Sequence, residues 1–159
     1  MSDDRSSGRD SAPSDSAEFA IDLPSDLSMI EAAVSYLVGR CRAFDFDGPR
    51  LDLNFRVCVT EALANAVLYG NARDPEKTVR VEMTLDKLKV EVCVTDQGNG
   101  FNPLNVPDPT APGNIEAPGG RGIFLIRHLM DEIEFNERGN AVRMVLVRPA
   151  RRGLRSTGD

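Results

Sequence analysis

From Val79 to Val94 apolar residues occupy nearly every second position: Val79, Val81, Met83 and Leu85, then, beyond Asp86-Lys87, Leu88, Val90, Val92 and Val94. Successive side chains of a strand point to opposite faces, so a period of two gathers each apolar set on one side. Two such runs separated by a polar pair read as a hairpin. The chain must therefore build antiparallel sheet with one water-avoiding face, and another layer must cover that face.

The rest of the sequence offers that cover. Phe19, Ile21 and Leu23 alternate as a short strand closed by Pro24. Ser25 or Asp26 then caps a helix carrying Leu27, Ile30, Val34, Leu37 and Val38, which is expected to end near Gly39. After a turn over Asp45 to Pro49, Pro49 opens a longer helix to about Tyr69, with Gly70-Asn71 as its stop. Val57, Ala62, Leu63, Ala66 and Val67 form its expected buried stripe. Between Asn102 and Pro118 stand five prolines and no periodicity, a long loop of the kind that usually carries function or stays disordered. Gly119-Gly120 precede a helix with Ile123, Ile126, Leu129 and Met130. Strands around Ile133–Asn136 and Ala141–Val147, joined at Gly139-Asn140, close the pattern. The order lacks strict βαβ alternation. It predicts an α+β fold, a two-layer α/β sandwich whose mixed, mostly antiparallel sheet is covered by helices on one face.

Residues 1–16 are polar and small and are expected to be a disordered tail, leaving 17–148 as the folded domain. Residues 149–159 are expected to be a basic flexible tail with Arg151, Arg152 and Arg155, either a solvated charge run or an electrostatic docking segment. A net charge of −6 disfavours wholesale binding to nucleic acid or to an anionic membrane. No apolar run approaches the ~20 residues of a membrane span, and the N-terminal residues lack the apolar core of a secretory signal. Cys41, Cys58 and Cys93 are widely spaced without a CxxC pair. They read as packing residues in a reducing, cytoplasmic setting rather than a zinc site or disulfide scaffold.

Three constellations carry chemistry. In the long helix, Glu61 and Asn65 are four apart and share a face amid small alanines. By themselves they equally describe a solvated pair on an amphipathic helix. After the strand ending near Val94 comes Asp96-Gln97-Gly98-Asn99-Gly100. Gly98 and Gly100 leave room for a ligand, and Asp96 is a pure acceptor suited to an exocyclic amine; a plain Asn-Gly turn is the alternative. Finally, Gly119-Gly120-Arg121-Gly122 leads into a helix whose free N–H groups favour an anion. This is neither a Walker A loop nor a dinucleotide fingerprint.

Taken in order, with the proline-rich loop between the second and third, these segments resemble the N box and the two glycine boxes of Bergerat-fold ATPases, over about Leu51 to Val147. The resemblance implies that ATP is bound with Mg²⁺ held by Asn65. It makes Glu61 the general base and Asp96 the adenine-recognising carboxylate. Gly98 and Gly100 would shape the base pocket, residues 102–118 would form a lid, and Gly120, Arg121 and Gly122 would face the phosphates.

Within that superfamily the chain is most similar to anti-sigma-factor serine kinases of the partner-switching type, including in its GGRGIFLIRHLMDEI segment. This implies a homodimeric serine kinase that phosphorylates an anti-anti-sigma STAS-domain protein and sequesters a sigma factor. A nucleotide-sensing switch that phosphorylates nothing, or a kinase serving a different partner, stays open here. The only histidine, His128, lies in the helix after the glycines and is expected to be a packing or surface residue. With its one histidine there, the chain is not expected to carry a phosphoacceptor hairpin, and its length is not expected to hold a transducer domain. Two positions depart from the family: Tyr69-Gly70 stands for a His-Gly pair, and Asn140 follows Gly139 where a Thr is common.

Overall fold

The structure, a computed structural model, describes residues 15–100 and 120–149. Most of the expected N-terminal tail, the loop expected over residues 102–118 and nearly all of the basic C-terminal tail lie outside the described residues. In chain order the elements are β1 (Ser16–Pro24), a 3₁₀ turn (Leu27–Met29), α1 (Ile30–Ala43), and a helical run whose α-helical centre, α2, is Arg56–Asn65. Then follow β2 (Thr78–Asp86), β3 (Lys89–Thr95), α3 (Gly120–Leu129), β4 (Glu132–Phe135) and β5 (Ala141–Val147).

Among the described residues the five strands form one sheet in the order β1-β2-β3-β5-β4, and every pairing there is antiparallel. The expected mixed sheet is therefore corrected. Both hairpins pair neighbours in sequence, the helical connection after β1 brings β2 beside it, and the one after β3 leads to β4, from which the chain turns back so that β5 lies between β4 and β3. Along the hairpin Leu85 faces Val90 and Val81 faces Val94. The connection is displaced by one residue from the sequence reading. Lys87 and Leu88 form its tip, and Leu88 is 74% exposed instead of continuing β3. Asp86 Oδ1 secures the turn by accepting from the N–H groups of Leu88 and Lys89.

Phe19, Ile21 and Leu23, the apolar sets of β2 and β3, and Val142, Met144 and Leu146 share the covered face with Ile133 and Phe135. Ile30, Val34, Leu37, Val38 and Cys41 from α1, Cys58, Val59, Ala62 and Leu63 from α2, and Ile126 from α3 pack onto it in a single cluster. The opposite face carries Asp22, Arg80, Glu82, Glu91 and Arg143, joined by ion pairs across strands (Arg80–Asp22, Arg143–Glu91) and along β2 (Arg80–Glu82). Such exposed pairs stabilise little but keep that face wet.

The helices differ from expectation in detail. Asp26 is the cap, accepting from Ser28 N–H, which holds its carboxyl below the ordinary value, whereas Ser25 is buried elsewhere. Leu27 is 40% exposed and off the stripe. Helix α1 continues past Gly39 to Ala43, because Cys41 extends the buried stripe by another turn and hydrogen-bonds Met83 Sδ. Burial raises the thiols of Cys41 and Cys58 to about 12, consistent with inert packing. Cys93 instead lies half-buried on the polar face beside Thr95. On α2 the buried positions are Cys58, Val59, Ala62 and Leu63, while Val57 is only half-buried.

Helix α2 is flanked by π-type turns at Arg50–Phe55 and Ala66–Gly70. The second closes with Asn71 N–H donating to Ala66 C=O, five residues back. Such widened turns often occur at functional sites. Among the described residues no helix is long and apolar enough to cross a membrane.

Candidate nucleotide site

The helical wall of the site is set by spacing. Glu61 and Asn65 lie one turn apart on α2 and are half-buried. Helix α3 packs against them through Gly122: a Cβ placed there would fall 2.9 Å from Glu61 Oε2 and 3.1 Å from Asn65 Nδ2. Only a bare Cα lets the first turn of α3 come this close while both polar heads keep their places. That turn comprises Gly120, Arg121 and Gly122, whose N–H groups have no acceptor within the helix. Gly120 and Gly122 are buried and Arg121 is exposed. The result is a carboxylate, a carboxamide and a set of backbone donors at one helix N-terminus.

The second wall is built at the end of β3. Asp96 Oδ1 accepts from Gly98 N–H at 2.8 Å. Gly70 lies with its bare Cα against the Asp96 carboxylate, and Gly98 lies against the Gly70 carbonyl. At either position a Cβ would run into those atoms. Burial pushes the Asp96 carboxyl above its ordinary value, opposed by the Gly98 N–H and the positive charge of Lys77. Gly100 has φ +76° and abuts the Arg138 carbonyl in the β4–β5 turn. It closes the loop onto that turn.

Two asparagines hold this second wall. Asn71 is fully buried, its Nδ2 donating to Ser25 Oγ and Thr78 C=O, both at 2.9 Å. Its Oδ1 accepts from Gln97 N–H at 2.7 Å. From the other side, Asn140 C=O accepts from Asp96 N–H, and Asn140 Nδ2 donates to Asp96 C=O at 3.0 Å. Sequence reasoning took Asn71 for a helix stop and Asn140 for a departure from the family pattern. Their partners lie 26 and 44 residues away, and no local spacing announces them. A polar residue directly after a helix-ending glycine was the one available signal.

The expected residues thus fall into two sets: Glu61 and Asn65 lie close against Gly122, and Asp96 and Gly98 form the other wall with Gly70. His128 is exposed at the far end of α3, its ring 4.0 Å from that of Phe124. No group of three His, Cys, Asp or Glu side chains able to hold a metal occurs among the described residues.

Known proteins resemble the chain. It is 28% identical to the serine-protein kinase RsbW of Oceanobacillus iheyensis, over 52% of this chain and 56% of that protein. With the serine-protein kinase RsbW of Halalkalibacterium halodurans the identity is 33%, over 56% of this chain and 57% of the relative. The anti-sigma F factor of Bacillus cytotoxicus is 30% identical over 50% of this chain and 56% of its own length. The matches thus span little more than half of each of these relatives. The crystal structure of the RsbU and RsbW domains of a Mycobacterium tuberculosis protein superposes with a TM-score of 0.53 at 14% identity. That superposition covers 83% of this chain and 32% of the other, a likeness of fold. A model of the histidine kinase-like ATPase domain matches residues 23–146, from the end of β1 to the penultimate residue of β5. Sheet order, the two-walled site and that match together place the chain in the histidine kinase-like ATPase domain family.

Proposed function

We propose that the chain is an ATP-dependent protein serine kinase. Its substrate would be an anti-anti-sigma protein of STAS fold, and the same body would hold a sigma factor away from RNA polymerase. The observation that carries this reading is the close approach of Gly122 to Glu61 and Asn65, which sets a carboxylate and a carboxamide beside the opening N–H groups of α3. The names of the relatives, serine-protein kinase and anti-sigma F factor, support a serine kinase activity and a sigma factor as partner.

In this reading Asp96 accepts from the amino group of adenine, with Gly98 and Gly100 giving the base and loop their room. Gly120 and Gly122 offer N–H groups to the phosphates, and exposed Arg121 adds a cation near them. Glu61 takes the proton of the serine hydroxyl as its oxygen bonds to the γ-phosphorus and the bond to ADP breaks. Asn65, whose carboxamide lies against Gly122 with Nδ2 as its nearest atom, would hold Mg²⁺ through its amide oxygen. One protein oxygen suffices for an ion that keeps phosphate and water ligands. When bound, Mg²⁺ would neutralise charge developing on the phosphates. A cytoplasmic homodimer is the expected setting, which sedimentation of the purified chain would test.

Calorimetry of ATP binding with and without Mg²⁺ tests the site. Mg²⁺-dependent binding that Asn65→Ala abolishes, followed by phosphoryl transfer to a STAS-domain serine, supports the proposal. A chain that binds no ATP under either condition would refute it.

A further inference from the structure

The glycine loop after β3 owes its shape to side chains from two remote segments, and this bears on what the site selects. Three consecutive N–H groups are spoken for: Asp96 by Asn140 C=O, Gln97 by Asn71 Oδ1, and Gly98 by the Asp96 carboxylate itself. The Asp96 carbonyl is held by Asn140 Nδ2. The Asp96 carboxylate therefore has a fixed direction before any ligand arrives. Gln97 adds a further tie by accepting from Thr78 N–H at 2.8 Å.

Both clamps are anchored behind the site. Ser25 Oγ, which accepts from Asn71, itself donates to Lys77 C=O at 2.7 Å. The start of β2, the end of β1 and the end of the long helical run are thus joined at one carboxamide. A carboxamide is the small side chain that offers two donors and an acceptor together. A carboxylate at 71 would face the Thr78 carbonyl with no proton to give, and an alanine would leave buried groups unpaired. Asn140 is fixed likewise, its Oδ1 accepting from Asn136 Nδ2 at 2.7 Å.

We infer that Asn71 and Asn140 are positioning residues for base selection, holding Asp96 where it accepts from the amino group of adenine and opposes the carbonyl oxygen of guanine. This rests on the reading that Asp96 meets the base. The pair acts through Asp96 and need not touch the nucleotide. Its contribution is preorganisation, which raises affinity by removing the cost of ordering the acceptor on binding.

The test compares Mg²⁺-ATP and Mg²⁺-GTP binding by calorimetry for Asn71→Ala, Asn140→Ala and Asp96→Asn, with thermal unfolding of each. Expected is a loss of about tenfold in ATP affinity for both asparagine variants, with a matching fall in the preference for ATP over GTP. Variants that melt earlier yet keep the wild-type ATP affinity and preference would overturn the inference, since that is what plain scaffolding predicts. Should Asn71→Ala fail to fold, Asn140→Ala decides, because its side chain lies outside the apolar core. An Asp96→Asn protein that binds ATP unchanged would instead sink base recognition by Asp96, and the clamp's role with it. ATP binding lost in Asp96→Asn but untouched in Asn140→Ala would leave the nucleotide site standing and remove only the clamp.

Discussion

The two walls of the site reach their geometry by different means. The Glu61–Asn65 wall is helix against helix: residues four apart share a face, and a glycine on α3 allows the close approach. The Asp96 wall is a loop suspended from asparagines that arrive from the end of the helical run and from the β4–β5 turn. The first depends on local spacing and one missing side chain; the second depends on the folded sheet bringing distant segments together. Chemistry placed on the helical wall should therefore be separable from binding placed on the loop wall.

The sharpest break between the walls should come from Glu61→Ala. Loss of a positioned general base lowers phosphoryl transfer by roughly 10²–10⁴-fold, while ATP affinity stays near that of the native chain. Single-turnover transfer from labelled ATP to a STAS-domain partner, beside calorimetry, measures both quantities. Equal collapse of binding and transfer would mean that Glu61 belongs to the nucleotide pocket as a whole.

Asp96→Asn should do the reverse, weakening ATP roughly 10- to 100-fold as an acceptor for a ligand amine is lost. It should also firm the empty fold. Burial raises the Asp96 carboxyl above its unfolded value, so the folded state holds the proton more tightly than the unfolded one. Stability from this group then falls as pH rises through the window between the ordinary carboxylate value and the raised one. The asparagine variant should unfold at a higher temperature than the native chain at pH 7 and lose that advantage in acid. A lower melting temperature at pH 7 would contradict burial as the dominant cause.

The same contrast explains what could be read from the chain alone. The hairpin's alternation foretold β2, β3 and the need for a covering layer, because burial of one sheet face is written in a period of two. Spacing alone put Glu61 and Asn65 on one face. The helix end at Gly39 was misplaced because a glycine tolerated in an exposed helical turn looks, in sequence, like a C-terminal stop. Leu88 was misplaced because apolar alternation continues formally through a turn whose tip is solvent-exposed. The roles of Asn71 and Asn140 were invisible, since each bonds backbone groups of a segment that only the folded sheet brings near.

Gly122→Ala probes the helical wall more finely than deletion of Glu61. The new Cβ would press on Glu61 Oε2 and Asn65 Nδ2, the movable ends of two side chains, so α3 should stay in place. Moving a reacting group by a fraction of an ångström is costly to rate, and a loss of about tenfold in transfer is expected. ATP affinity should change less than the rate. Transfer at the native rate would show that Glu61 tolerates displacement and does not act as the base.

Gly39→Ala supplies the control that makes the Gly122 result interpretable. Both glycines lie in helices, but a Cβ on Gly39 meets nothing within 4 Å. No functional group depends on its absence, and the change should act only on helix propensity and the entropy of the unfolded chain. A gain of about 0.5–1 kcal/mol follows, a rise of roughly 2–4 °C in melting temperature for a domain of this size. ATP binding and transfer should be unaltered. If Gly39→Ala depressed transfer as Gly122→Ala does, the loss at Gly122 would reflect a general intolerance of stiffer helices. An unaltered rate ties that loss to the contact with Glu61 and Asn65, and so to the helical wall alone.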